Sequence, residues 1–316
     1  MDNNLHGLII AAAVLLTILC AWALRSRQRV DNSAFFPTVL CAVVLGMILS
    51  RAVYAYFFPE PFRNDAMLLL RLTSGGYSLL GGMVGAFVAI AVMSRLFSFD
   101  FLVMLDAVAP AAALGIAVGR MADFFTGEKI GITITDERYQ KLPFAVYSEQ
   151  SGAWSLAVMI FAAAACLVVF LLLLALFGRT YANRSGLCRK GDVTLGFLLL
   201  FGMAQTVLES MRIDALYFNS LGFVKVMQIA AILMAAVTMI IMSIRSVRVY
   251  RKPRWWHYLY WGMMLCCLAA AMWAEFRMSV GTMTRNYTVM ISGLLVTTAC
   301  TVIMYANSTD ASCAQK

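Results

Sequence analysis

Four ionisable side chains, Arg51, Arg120, Glu209 and Arg212, stand in stretches of sequence that otherwise hold mostly apolar residues. Gln205, Glu209 and Arg212 are spaced i, i+4 and i+7, so on a helix they share one stripe, and Glu209 can pair with Arg212 across a turn. A charge inside an apolar span is costly and marks function by default. A guanidinium fork matches phosphate oxygens two at a time, so three arginines with carboxylates nearby make a phosphate cradle. Taken singly, each has a plainer reading, in which Arg120 and Arg212 snorkel to the surface and Arg51 makes a structural pair. All three at one depth, beside the Gln205–Glu209 stripe, favour a site.

The elements that must position these residues follow from composition. With 62% hydrophobic and only 13% charged residues and a mean hydropathy of +0.81, the chain lies far from the balance of a soluble globule. Apolar windows of spanning length fall at 7–24, 36–58, 76–97, 101–119, 153–178, 193–213, 222–244, 256–274 and 288–306. They are continuous and do not alternate, which excludes a transmembrane barrel and predicts an all-α bundle of about nine transmembrane helices. The first run is preceded only by Asp2 and lacks a basic lead, so it reads as a retained span and not a cleaved signal.

The net charge of +9 points to topology, not to nucleic acid, because the basic residues cluster in alternate loops: Arg25, Arg27 and Arg29; Arg95; Arg179, Arg184, Arg189 and Lys190; Arg245, Arg248, Arg251, Lys252 and Arg254. The positive-inside rule then places the N-terminus outside and the C-terminus in the cytoplasm. Arg51, Arg120, Glu209 and Arg212 come to one depth at the outer side. The long outer connection 122–152 carries Phe124, Phe125, Ile130, Ile132 and Ile134, and is expected to pack at the membrane surface. RSVRVYRKPRWWHYLYW after span seven reads as an inner-leaflet anchor of basic and aromatic residues.

Weaker signals carry less. The eight cysteines show no metal or redox spacing, so neither disulfide nor zinc is expected. His6 and His257 fall on opposite sides and cannot share a metal. His6 is at the depth of the arginines, although a lone histidine at a helix end is more often a surface residue. Asn286-Tyr287-Thr288 matches a glycosylation acceptor by accident. The methionines read as adaptable packing.

The segment LDAVAPAAALGIAVGRMADFFTGEKIG, residues 105–131, resembles the signature of bacterial prolipoprotein diacylglyceryl transferases, through Asp106, Ala109, Pro110, Gly119, Arg120, Phe124, Gly127, Glu128 and Gly131. Further similar pieces follow in order: LSRAVY with Arg51 and Tyr54, GGMVG with Gly81, Gly82 and Gly85, then Pro143 and Tyr147, Glu209 and Arg212, and Gln228. The resemblance covers about residues 1–245. It implies a family-like membrane core at 1–250, two additional spans within 251–306 and a polar cytoplasmic tail at 307–316.

What the resemblance implies is transfer of the diacylglyceryl group of phosphatidylglycerol, at the outer face of a bacterial plasma membrane, to the thiol of a lipoprotein-precursor cysteine. Glycerol phosphate leaves, and no cofactor or metal takes part. A thiol with a pKa of about 8.5 must lose its proton, and a phosphate must be held as it gains charge. Arg120 and Arg212 are assigned to the phosphate, with Arg51 as support; Glu128 or Glu209 orients an arginine or accepts the thiol proton. Asp123, Gln205, Gly81, Gly82 and Tyr147 complete the substrate-binding set. The sequence departs from the family pattern at Asp123 and Thr126 (asparagines), Leu80 and Leu142 (histidines), Ala145 (glutamine), Ser148 (glutamate) and Gln205 (arginine). Those changes motivate a second reading, a degenerate member that binds phospholipid or a partner without turnover.

The first reading carries a geometric expectation. Arg120 and either Arg51 or Arg212 must face one cavity with an apolar floor, open sideways to lipid. Glycines 81, 82 and 85 let backbone or lipid approach closely, and loop 122–152 covers the outer side as a movable lid.

Overall fold

The computed structural model describes residues 2–28, 31–69, 75–125, 130–148, 152–181, 189–213, 215–218, 221–278 and 282–314. Among the described residues, nine helices are long and apolar enough to cross a membrane: α1 (Asp2–Arg25), α2 (Asn32–Phe57), α3 (Leu79–Leu96), α4 (Phe101–Ala122), α5 (Val158–Tyr181), α6 (Asp192–Met211), α7 (Val226–Tyr250), α8 (Trp255–Phe276) and α9 (Met283–Ala314). The chain is an all-α, multi-pass membrane protein.

Three boundaries differ from expectation. Residues 153–156, read as the start of span five, form β2 (Ala153–Leu156), antiparallel to β1 (Ala145–Ser148). Gly152, at φ 63°, turns the chain back on itself before α5 begins. Residues 222–225, read as the start of span seven, belong to β4 (Leu221–Lys225), which pairs with β3 (Tyr217–Phe218). At the far end α9 runs on through 307–314, expected as a tail. That stretch has neither Gly nor Pro to stop a helix.

α4 sits at the centre because its alanines are small. Ala107, Ala109, Ala113 and Ala117 are buried in one cluster with Cys166, Leu173 and Phe177 of α5 and Phe197 and Phe201 of α6. Asp100 starts the helix, accepting from Leu102 N at 3.1 Å. Lys190, 2.7 Å away, holds its exposed carboxyl below the usual carboxylate range. Asp106, fully buried, accepts from Tyr181 Oη (2.7 Å), Gly191 N (2.7 Å), Thr194 N (2.9 Å) and Thr194 Oγ1 (2.7 Å). Four donors compensate a carboxylate taken out of water, and they tie α4 to the end of α5 and the start of α6.

α2 and α3 form a tight pair. A Cβ at Gly81 would collide with the Leu49 carbonyl, and one at Gly85 would lie 2.7 Å from Gly46 Cα. Only small residues allow two backbones this close. α8 and α9 pack as a hairpin against α6 and α7, over a core of Met203, Met239, Met242, Met264, Met290 and Leu294. At one end of this hairpin the buried ring of His257 lies 3.1 Å through Nε2 from Ser246 Oγ, which in turn donates to Met304 O at 3.2 Å, joining α7, α8 and α9.

Candidate functional site

The nominated residues that the structure describes lie toward one end of the bundle, where α4 and α6 finish. Arg120 lies in the last turn of α4 and is 7% exposed; its Nη1 is 3.8 Å from Oδ2 of Asp123, itself buried in the short turn Asp123–Phe125. The carboxylate thus offsets part of the arginine's charge.

Beside Arg120 opens a cavity of about 580 Å3, walled by α1, α2, α3, α4 and α6. α1 packs on α4 and α2 packs on α3, and the cavity lies between these two pairs. Its walls are mostly apolar, among them Ile10, Met47, Ala112, Ile116 and Phe197, and it extends along α4 from Arg120 to Leu105. At 1.5 Å per residue that run is about 22 Å long. Tyr77, Ser78 and Ser50 add hydroxyl groups, and Gly82 opens onto it: a methyl added there would meet nothing nearer than Ser50 Cβ at 4.0 Å. A long apolar chamber with a guanidinium at its end suits an amphiphile with an anionic head.

Arg51 is placed differently. Its Nη1 donates to Gly76 O at 2.9 Å and its Nη2 to Leu68 O at 2.6 Å, and the guanidinium stacks on Phe62 and Tyr77 at 5.1 and 5.3 Å. It organises the connection after α2 and reaches the cavity wall through Tyr77. Arg212, expected as a partner of Arg120 on one cavity, does not line that cavity and caps the end of α6 instead. Its Nη1 is 2.7 Å from Glu209 Oε1, which also accepts from Gln205 Nε2 at 2.8 Å. The predicted stripe is present, and Glu209 and Gln205 are buried at 1% and 2% exposure.

A strip of backbone at 130–134 packs against the end of α6 that Arg212 caps. Gly131 N donates to Leu156 O at 2.8 Å, Ile132 N to Met211 O at 3.2 Å and Ile134 N to Trp154 O at 2.7 Å. The strip wedges between β2 and the end of α6, and Gly131 pairs with Arg212. A Cβ at Gly131 would meet Val158 Cγ2 at 2.5 Å and Met211 O at 3.0 Å, so the last glycine of the signature is a steric requirement. Tyr147 is half-exposed on β1, its ring 5.7 Å from that of Trp154, and does not line the cavity. Gly81 faces α2 and not the cavity. Glu128 lies outside the described residues.

Two residues were undervalued from sequence. Lys225 Nζ donates to the carbonyls of Glu209 (2.7 Å), Ser210 (3.1 Å) and Arg212 (2.7 Å), satisfying the open end of α6; no spacing rule marks it. His6 puts Nδ1 3.1 Å from Ala122 O, at the end of α4 that carries Arg120. Among the described residues no group of three or more His, Cys, Asp or Glu is placed to hold a metal ion.

Comparison with known proteins bears on these positions. The family described as Prolipoprotein diacylglyceryl transferase matches residues 3–244. A phosphatidylglycerol–prolipoprotein diacylglyceryl transferase of Synechocystis sp. is 27% identical over 232 residues, covering 72% of this chain and 81% of the relative. Proteins of the same description from Finegoldia magna (26% over 240 residues; 76% and 91% covered) and Listeria monocytogenes (24% over 247 residues; 77% and 86% covered) are similar in the same way. The match takes in α1 to α6, most of α7, and the motif that runs from Asp106 to Gly131. The chain belongs to the prolipoprotein diacylglyceryl transferase family.

Proposed function

We propose that this protein is a membrane-embedded transferase that moves the diacylglyceryl group of phosphatidylglycerol to the cysteine thiol of a lipoprotein precursor. Family membership supports the reaction. The observation that carries it to particular residues is Arg120 at the end of the 580 Å3 apolar cavity. An acyl chain lies along α4 toward Leu105, and the headgroup phosphate meets the Arg120 guanidinium. The thiolate attacks the glycerol carbon, a C–S bond forms, the C–O bond to phosphate breaks, and glycerol phosphate departs with the electron pair. Arg120 is favourably placed for the charge that develops there.

In this reading Arg51 and Tyr77 shape the rim, and Gly82 leaves room for lipid. The Glu209–Arg212 pair, steadied by Gln205 and Lys225, forms a second charged wall at the same end of the bundle. Tyr147 and the β1–β2 hairpin lie on the side from which a peptide approaches, and Glu128 belongs to the same connection. The site end faces outward from a bacterial plasma membrane, with the N-terminus outside and the C-terminus in the cytoplasm, in keeping with the basic loops at the other end. Residues 1–250 form the catalytic core, and α8 and α9 are an addition to it.

Purified full-length protein in phosphatidylglycerol nanodiscs, given a peptide with a lipobox cysteine, should yield a thioether-linked diacylglyceryl peptide and free glycerol phosphate. Arg120→Ala should abolish both products. Absence of protein-dependent product from the unaltered chain would sink the proposal.

A further inference from the structure

Building on that reading, we propose that His6, held at the end of α4 that carries Arg120, is the general base of the transfer: its Nε2 takes the proton from the acceptor thiol. The imidazole Nδ1 lies 3.1 Å from the carbonyl oxygen of Ala122. A carbonyl oxygen only accepts, so Nδ1 carries the hydrogen and Nε2 keeps a lone pair. An orienting acceptor on one ring nitrogen is how a fold selects the tautomer of a catalytic imidazole. Among the described residues no other hydrogen bond reaches the ring.

Position supports the same assignment. Ile10, one turn further along the same face of α1, lines the cavity, as does Arg120, two residues before the carbonyl that His6 grips. At the end of α4 that His6 touches, Arg120 and Asp123 are paired with each other at 3.8 Å. Of the buried or half-buried carboxylates at this end among the described residues, Glu209 is engaged by Arg212 and Gln205, and Glu275 accepts from Gln228 Nε2 at 2.9 Å. A neutral imidazole suits a thiol with a pKa of about 8.5. In the step itself the S–H proton passes to Nε2 and sulfur bonds to the glycerol carbon. The C–O bond to phosphate breaks with its electron pair going to the phosphate oxygen beside Arg120, and the imidazolium then returns its proton to the departing glycerol phosphate.

The test compares unaltered protein with His6→Asn and His6→Ala, all full-length in phosphatidylglycerol nanodiscs, by the rate of thioether formation on the lipobox peptide between pH 5.5 and 9.5. Asn keeps an N–H where Nδ1 stood and so retains the tie to Ala122 while losing the base. The expected result is a loss of about 100-fold in kcat at neutral pH for both variants, with KM for the lipid unchanged. The acid limb of the unaltered enzyme's profile should disappear, and the deficit should shrink above pH 9, where the thiol ionises unaided. Equal loss at every pH, or full rescue by Asn, would mean that the ring only holds α1 to α4 and would overturn the assignment. Inactivity of the unaltered protein is a separate outcome: it defeats the transferase reading, and the base falls with it.

Discussion

The hydroxyl of Tyr305 donates to Asp192 Oδ1 at 2.7 Å, fastening α9 to the first residue of α6. Arg245 Nη1 reaches the same oxygen at 2.8 Å, and Arg189 N donates to Oδ2 at 2.7 Å, so one buried carboxylate gathers α6, α7 and α9. The family match stops at residue 244, so Tyr305 brings a helix beyond the matched region into contact with the helix that bears Glu209.

Two substitutions should separate the parts of this junction. Tyr305→Phe removes one of three donors to a carboxylate that stays paired, and should cost about 1 kcal/mol. Asp192→Ala leaves the Arg245 guanidinium without its carboxylate and should cost about 3 kcal/mol. Thermal unfolding in detergent reads both, and an Asp192→Ala variant no less stable than Tyr305→Phe would contradict the junction.

Asp123 stands where the family pattern has asparagine, 3.8 Å from Arg120. Asp123→Asn should free the guanidinium for phosphate and tighten phosphatidylglycerol binding about fivefold, equivalent to about 1 kcal/mol. Lipid titration by calorimetry or a bound-lipid count would show it; weaker binding would mean that Asp123 orients Arg120 and does not blunt it.

Neighbouring glycines of α3 should respond oppositely to alanine. At Gly81 the added methyl collides with the α2 backbone, whereas at Gly82 it enters the cavity without contact closer than 4.0 Å. Gly81→Ala should lose about 2–3 kcal/mol, while Gly82→Ala should be neutral or gain up to about 1 kcal/mol from helix propensity. Equal melting temperatures for the two variants would rule out the close α2–α3 packing.

Filling the chamber should act on substrate and not on fold. Ala112 lines it midway along α4, and Ala112→Leu places a branched side chain in the path of an acyl chain. Transfer from long-chain phosphatidylglycerol should fall at least about tenfold, with short-chain lipid much less affected. A variant that treats both lipids as the unaltered protein does would place the acyl chain elsewhere.

Nine spans, the all-α class and the stripe of Gln205, Glu209 and Arg212 were legible in the sequence, because apolar length and helical period are local properties that a bilayer enforces. The glycine at 131 was legible as part of a motif, but its cause was not: the Val158 side chain and the Met211 carbonyl that crowd a Cβ there lie 27 and 80 residues away in sequence. Tertiary structure decided that Arg120 lines the cavity while Arg212 turns to Glu209, that Arg51 bonds carbonyls, and that His6 grips Ala122. It also turned residues 153–156 and 222–225 from expected helix into strand. Hydropathy could not tell those outcomes apart, since an apolar residue satisfies either conformation and only the partner strand, brought close by the fold, supplies the hydrogen bonds that choose between them.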